Sequence, residues 1–375
     1  MTDVLIYDDN LHGPEMRHEV PVPAPDPFLY VEKNGARHVV ITSFEVDRMK
    51  EAGLDAHPME AFGWDELVGK GPREEQLLKL IVQAVEGLDV KEAIVPHTFP
   101  LELADALRAK GVQITPDRAF FDKRRRAKNE TEIAGIRRAQ RGTEAAMDAA
   151  RELFRRAEPS NGGLTVDGEP LTCELLKARI TDVFSEHGLV ADEMIVAHGP
   201  QTAVGHDFGS GPIAANEPIV LDLFPRDRES GCYADMTRTF VVGEAPEKLV
   251  EFQRLVKQAL DRSLEEAKPG AAGRTVFEAV CDVFHEAGYP TQLSKKDGEV
   301  LDRGFYHGLG HGVGLEVHEA PWLSRDPGEL AVGDVITLEP GLYEPGFGGC
   351  RLEDLVLITE AGAENLTQYP YDLTP

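Results

Sequence analysis

Basic residues are scarce in this chain: 39 lysines and arginines stand against 66 aspartates and glutamates, a formal net charge of −27 over 375 residues. A surface so acidic repels phosphates, which argues against nucleic acid or an anionic membrane as partner. Cysteine is scarcer still. Its four copies, Cys173, Cys232, Cys281 and Cys350, are widely spaced and form no CxxC pair. Neither a disulfide scaffold nor a thiolate zinc site is expected, and the thiols read as reduced core residues. No apolar run reaches the ~18 residues a membrane span requires. The opening stretch, MTDVLIYDDNLHGPE, has no basic segment leading into an apolar one, so the expected location is the cytoplasm.

What remains is a globular composition, 42% hydrophobic and 28% charged, in a chain too long for one ordinary core. Two domains are expected. Residues 1–122 alternate strand-like and helix-like segments: strands near 30–32, 38–42, 92–95 and 112–115, and helices near 44–52, 74–86 and 101–110. That is the pattern of an α/β domain. It shows no phosphate-cradling glycine loop and no paired catalytic residues. A basic run at 123–128 reads as a solvated linker, and Asn129, followed by Glu130 and Glu132, as the N-cap of a helix reaching about residue 156.

From residue 129 to 375 one order of elements occurs twice. Helices near 129–156 and 173–187 precede strands at 193–197 and 218–242; helices near 247–267 and 276–287 precede strands at 305–318 and 334–359. The repetition predicts an α+β fold of two duplicated halves related by a pseudo-two-fold axis, helices on one face of a curved sheet.

Two hairpins carry acids in apolar strands. Asp222 lies in a β-branched run and Asp235 at the start of the next, with turn-forming residues 225–231 between them. A loop centred there sets the two acids opposite each other, Cβ atoms ~5 Å apart. Glu339 and Glu353 flank a second turn-rich loop, 343–349, and face each other in the same way. Facing carboxylates in apolar strands repel and resist ionisation; two such pairs call for divalent cations. The run from His307 to Glu319 adds His307, His311 and His318 among four glycines. Strand parity puts 307 and 311 on one face and 318 on the other unless the chain bends. His206 stands just upstream of the first hairpin. Four carboxylates and an imidazole form a hard, oxygen-rich set suited to Mn²⁺, Co²⁺, Fe²⁺ or Zn²⁺.

These residues resemble the pita-bread-fold metallopeptidases, which include methionine aminopeptidase, aminopeptidase P and prolidase. The matching pieces are Leu221-Asp222, Tyr233 to Thr239, His307 to Glu319, Leu338-Glu339-Pro340-Gly341 and Arg351 to Asp354. The N-terminal segment is similar to the creatinase-type domain of the proline-specific branch. The resemblance implies a two-metal site, most readily manganese, with ligands Asp222, Asp235, His311, Glu339 and Glu353. Asp235 and Glu353 would bridge the ions, and Glu339 would also accept the proton of the attacking water. His206, His307 and His318 would position substrate and stabilise the tetrahedral intermediate, and Arg351 matches the arginine of the proline-specific members. It further implies proline-containing peptides or dipeptides as substrates and a homodimer. One departure is Phe224, where many members have glycine.

The leading expectation is an Xaa-Pro aminopeptidase of the aminopeptidase P type, with Xaa-Pro dipeptidase as its alternative. A creatinase-like amidinohydrolase and a non-catalytic binding module share the fold. Members of both usually lose metal ligands, and this chain retains all five.

Overall fold

The computed structural model describes residues 2–160 and 163–375, which divide into two compact units, Met1–Arg125 and Arg126–Pro375. In the first, six strands form one mixed sheet in the order β4-β3-β2-β1-β5-β6. They are β1 (Asp3–Asp8), β2 (Phe28–Lys33), β3 (Ala36–Ile41), β4 (Asp55–Pro58), β5 (Glu92–Val95) and β6 (Gln113–Pro116). Alternation along the strands feeds a separate core on each face. Leu29, Val31 and Val40 pack with Ile81, Val85 and Leu107 of helices α1 (Arg73–Gly87) and α2 (Leu101–Ala109); Tyr30, Val39 and Ile41 pack with Met49 on the other side. Strands β1 and β4 escaped the sequence reading.

The basic run, within which the chain passes from one unit to the other, is not left solvated. It forms the end of helix α3 (Arg118–Arg126). Arg124 binds Glu19 and Glu32 at 2.6 and 2.7 Å, and Arg125 meets Glu15 at 3.1 Å with both side chains buried. An acidic chain supplies partners enough for each guanidinium, so the run is drawn against the protein rather than left in water. In the second unit Arg126 makes a two-pronged bond to Asp334 at 2.8 and 2.6 Å, and Lys128 pairs with Glu319 out of solvent.

The second unit carries the repeated order. Helices α4 (Glu130–Arg156) and α5 (Cys173–Glu186) precede an antiparallel trio, β7 (Ile195–His198), β8 (Ile219–Leu223) and β9 (Met236–Phe240). Helices α6 (Glu247–Glu266) and α7 (Gly273–Glu286) precede strands β10 (Gly310–Gly312), β11 (Glu319–Leu323), β12 (Val335–Leu338), β13 (Gly341–Glu344), β14 (Gly348–Arg351), β15 (Asp354–Thr359) and β16 (Gly362–Asn365). Of these, β11-β10-β12-β15-β16 make one sheet and β13-β14 a hairpin. Each helix pair has its own core. Ile136, Met147, Leu176 and Phe184 pack with Leu221, Leu223 and Met236; Phe252, Val256, Phe277 and Phe284 pack with Ile336, Leu338 and Ile358. No helix among the described residues is long and apolar enough to cross a membrane.

Helix α4 begins as the sequence predicts. Asn129 accepts from the Glu132 amide at 2.9 Å, and the Glu132 carboxylate accepts from the Asn129 amide at 2.9 Å. Such a reciprocal cap satisfies two amides that the first turn leaves open. Asn129→Ala is expected to lower stability by ~1 kcal/mol, read as a shift in the urea midpoint. An unchanged midpoint would show that the cap contributes nothing.

Candidate metal centre

Each acid enters the site from a strand end, and the two hairpins do so differently. In the second, the register is as expected: Gly341 faces Arg351 in β13–β14, and Leu338 faces Asp354 in β12–β15. Glu339 and Glu353 lie just past those pairs on the two arms, turning about Gly346, whose φ is +81°. The first hairpin is offset by two residues. Asp222 faces Thr237, not Asp235, and Leu223 faces Met236. The ladder runs on past Pro225 because Asp227 holds the turn further along the chain. Its carboxylate accepts from the Ser230 amide at 2.9 Å and the Ser230 hydroxyl at 2.6 Å, an aspartate-stabilised turn. Asp235 therefore stands diagonal to Asp222 and outside the ladder.

The chain does bend after His311. The β10–β11 register shifts between His311 and Gly312, and His318 returns with its ring 4.2 Å from that of His311, edge to face. Gly310 makes the close approach possible, since a Cβ there would sit 2.1 Å from the Thr337 carbonyl oxygen.

Ligand atoms of Asp235, His311 and Glu353, all buried, lie within 4.8 Å of one another. His311 Nε2 is 3.8 Å from Asp235 and 3.6 Å from Glu339. Its Nδ1 lies 3.1 Å from the Gly312 carbonyl oxygen, so the neutral ring donates there and presents the Nε2 lone pair to the acids. Burial, reinforced by His318, holds this imidazole down at about 3, which keeps it a neutral ligand. Asp222 lies 2.5 Å from Arg351.

The carboxylates are charged at a cost. Burial lifts Asp235 and Glu353 well above the usual carboxylate range, and their acidic neighbours push further. Burial raises Glu339 to about 8, against the pull of Arg351 and with the push of Asp222. Asp222 Oδ1 and Asp235 Oδ1 are buried without a hydrogen-bond partner among the described residues. Orphaned carboxylate oxygens beside a lone imidazole nitrogen, in an oxygen-rich set, fit divalent cations. Arg351 alone does not neutralise four acids.

The outer residues divide by what they touch. His206 and His318 line a cavity of about 850 Å³ together with Phe224, Tyr306 and Trp322, and neither has a hydrogen-bond partner among the described residues. His307 also lines it, but both its nitrogens are engaged. Nδ1 lies 2.6 Å from the Gly308 carbonyl oxygen, and Nε2 lies 2.9 Å from the Tyr343 hydroxyl. Burial, helped by Arg351, holds it down at about 3 and so neutral; the hydroxyl donates to its Nε2. Arg351 in turn donates to Tyr343 and to Thr237, each at 3.2 Å. His307 is thus a member of a positioning chain rather than an open donor.

Thr237, Arg238 and Asp354 lie in the matching sequence pieces with no role assigned to them there, and Tyr343 lies outside those pieces. Thr237 donates to Glu353 Oε2 at 2.6 Å. Arg238, 1% exposed, binds Asp354, 0% exposed, at 2.9 Å and donates to the Glu353 carbonyl at 2.8 Å. A guanidinium inside an apolar strand, with an acid directly after a candidate ligand, was the available signal. Removing one partner of such a pair costs ~3–5 kcal/mol.

Thr237→Val keeps the shape and deletes the bond to Glu353. Metal affinity is expected to fall ~10–100-fold, as for the loss of a group that orients a ligand, and the metal-free protein to lose ~1–3 kcal/mol because Glu353 and Arg351 are each left short of a partner. Calorimetric titration with Mn²⁺ checks this; wild-type affinity would show that Thr237 does not orient Glu353.

A profile of metallopeptidase family M24 matches residues 134–360. The Xaa-Pro dipeptidase of Pyrococcus furiosus is 40% identical over 185 residues, 49% of each chain, and that of Pyrococcus horikoshii is 38% identical over the same extent. These matches span about half the length of those relatives. Among solved structures, the prolidase from Pyrococcus furiosus covers 99% of this chain and 97% of its own at 25% identity, with a TM-score of 0.76. The X-Pro aminopeptidase from Thermotoga maritima covers 99% and 97% at 22% identity and a TM-score of 0.78, a likeness of fold alone. With 227 contiguous residues inside the profile, spanning every acid and the histidine of the centre, the chain belongs to metallopeptidase family M24.

Proposed function

We propose that the chain is an Xaa-Pro dipeptidase, hydrolysing the amide bond that precedes proline. The carrying observation is the buried convergence of Asp235, His311 and Glu353, with Glu339 3.6 Å from His311. The names of the Pyrococcus relatives favour the dipeptidase over the aminopeptidase reading. Asp222, Asp235, His311, Glu339 and Glu353 would hold two divalent cations, Mn²⁺ foremost. When bound, such ions supply Lewis acidity and bring the pKa of water toward neutrality.

The protein's own groups do the rest. Glu339, 3.6 Å from His311 in the centre, takes the proton from the attacking water and returns it to the departing amine. His206 and His318, on the cavity wall with unengaged nitrogens, donate to the oxygen of the tetrahedral intermediate. Arg351 holds Asp222, and through Tyr343 fixes His307. Phe224 and Trp322 supply apolar wall for the pyrrolidine ring.

The aminopeptidase reading draws on a different observation. Among the described residues, Arg351 is the one lysine or arginine lining the cavity, and it is committed to Asp222, Tyr343 and Thr237. A free dipeptide brings a carboxylate that asks for a cation, whereas a longer peptide does not.

Metal-stripped protein reloaded with Mn²⁺, Co²⁺ or Zn²⁺ and offered Xaa-Pro dipeptides and Xaa-Pro-Xaa tripeptides decides between them. Dipeptide cleavage is expected, and Glu339→Gln is expected to cut kcat by ~10²–10⁴ while the fold survives. Cleavage of tripeptides alone makes the chain an aminopeptidase. Hydrolysis of neither, with any of the metals, overturns both.

A further inference from the structure

A second group of metal-ligating side chains lies in the first unit. Strands β3 and β4 pair in parallel at the edge of the sheet, with His38 opposite Asp55 and Val40 opposite His57. Residues 38 and 57 therefore share the face that carries Val40. His38 Nδ1 and His57 Nε2 lie 3.4 Å apart, and His57 Nε2 is 3.5 Å from Asp55 Oδ1. His38 Nδ1 is 2.9 Å from Asp55 Oδ2. The rings stack with centroids 5.6 Å apart, and the edge of Phe62 at 5.9 Å backs that of His57. The ligand atoms all lie within 4.8 Å of one another.

We infer that His38, Asp55 and His57 form a binding site for a divalent cation of the zinc class, separate from the peptidase centre. Tetrahedral coordination with bonds of ~2.0–2.1 Å places neighbouring ligand atoms about 3.3–3.4 Å apart. The nitrogen–nitrogen separation of 3.4 Å and the nitrogen–oxygen separation of 3.5 Å match that edge length, while the 2.9 Å from His38 Nδ1 to Asp55 Oδ2 is the shorter distance of a hydrogen bond. Two ring nitrogens turned toward each other share at most one proton between them, and a carboxylate faces both. The partial exposure of the cluster, with side chains 18%, 57% and 28% accessible for His38, Asp55 and His57, leaves a fourth position to water. An anion is excluded by Asp55.

Ligand chemistry separates the two sites. Two imidazoles and one carboxylate favour Zn²⁺, Ni²⁺ or Cu²⁺, whereas four carboxylates and one imidazole accept Mn²⁺ readily. The cation also ties β4, the last strand of the sheet, to its neighbour. Edge strands present unpaired backbone groups and are prone to slip or to pair with other chains. A staple across β3 and β4 holds the register that brings His38 opposite Asp55.

The test uses the full chain with its peptidase centre disabled by Asp235→Asn and Glu353→Gln, titrated with Zn²⁺ and, separately, with Mn²⁺ in equilibrium dialysis. One zinc per chain is expected to remain, with no manganese. That zinc is expected to be lost on adding His38→Ala or His57→Ala. It is expected to stay on adding His12→Ala, which removes a single exposed histidine–aspartate pair. Zinc uptake unaltered by loss of His38 and His57, or no zinc in the disabled protein, overturns the site; manganese uptake equal to zinc overturns its class. Should the variants fail to fold, wild-type crystals grown with zinc still decide. An anomalous peak ~2.0–2.1 Å from both ring nitrogens is expected, and anomalous density at the peptidase centre alone refutes the inference.

Discussion

Carboxylates brought together out of water repel one another, and every feature of the second unit bears on how that repulsion is met. Asp222, Asp235, Glu339 and Glu353 converge in a cavity wall with one guanidinium among them. At ~4 Å two like charges cost about 4 kcal/mol even at an effective dielectric of 20, so the cluster is untenable as four bare anions. Proton uptake is one relief, visible in the raised pKa values of Asp235, Glu339 and Glu353. Divalent cations are the other, and the neutral His311 beside the acids, its Nε2 turned toward them, suits that relief and not the first.

Holding such a cluster requires that the two halves of the fold not drift apart. The joint is β9 against the β14–β15 segment. Thr239 and Arg351 exchange two hydrogen bonds at 2.9 and 3.0 Å, and the Glu353 amide donates to the Thr237 carbonyl at 3.1 Å. Arg238 spans the same joint with donors to the carbonyls of Glu353, Tyr369 and Pro370 and a stacked Tyr371 at 4.5 Å. Asp222 and Asp235 flank one side of this joint, and Glu353 the other. A buried ion pair adds little to net stability against an apolar substitute. Its contribution here is register: Arg238 has partners for its donors in one arrangement only.

The convergence of acids and histidines was legible in the sequence because Asp222 and Glu339 interrupt apolar runs, and Asp235, Glu353 and His311 stand at fixed places in the strands beside them. Their exact pairing was legible only where the turn was symmetric. Gly346 marks the centre of the second hairpin, whereas the first is displaced by the side chain of Asp227, which a reading of turn composition does not weigh. Parity alone sets His318 on the other face from His311, and the bend that brings it back is the bulge between His311 and Gly312, which resets the alternation. The basic run was misread for a similar reason. Its partners Glu15, Glu19 and Glu32 are about a hundred residues away, and only the folded sheet brings them near. His38 and His57 were invisible likewise, since parallel pairing of β3 and β4 joins positions that no local spacing links.

Three of the five candidate ligands share a placement that bears on precision, while Asp222 and His311 lie within paired strands. Asp235, Glu339 and Glu353 all sit immediately outside a ladder, where a side chain can turn toward a common point instead of standing square to a sheet. Freedom of that kind would blur the site if the backbone were loose. It is not: Glu339 donates its amide to the Leu309 carbonyl at 2.8 Å, Glu353 to the Thr237 carbonyl, and His311 to the Thr337 hydroxyl at 3.1 Å. Each bond crosses to a different strand from the one that delivers the residue. The geometry is thus set by the sheet as a whole, which is how a site built from strand ends reaches the tolerance that metal ligation demands.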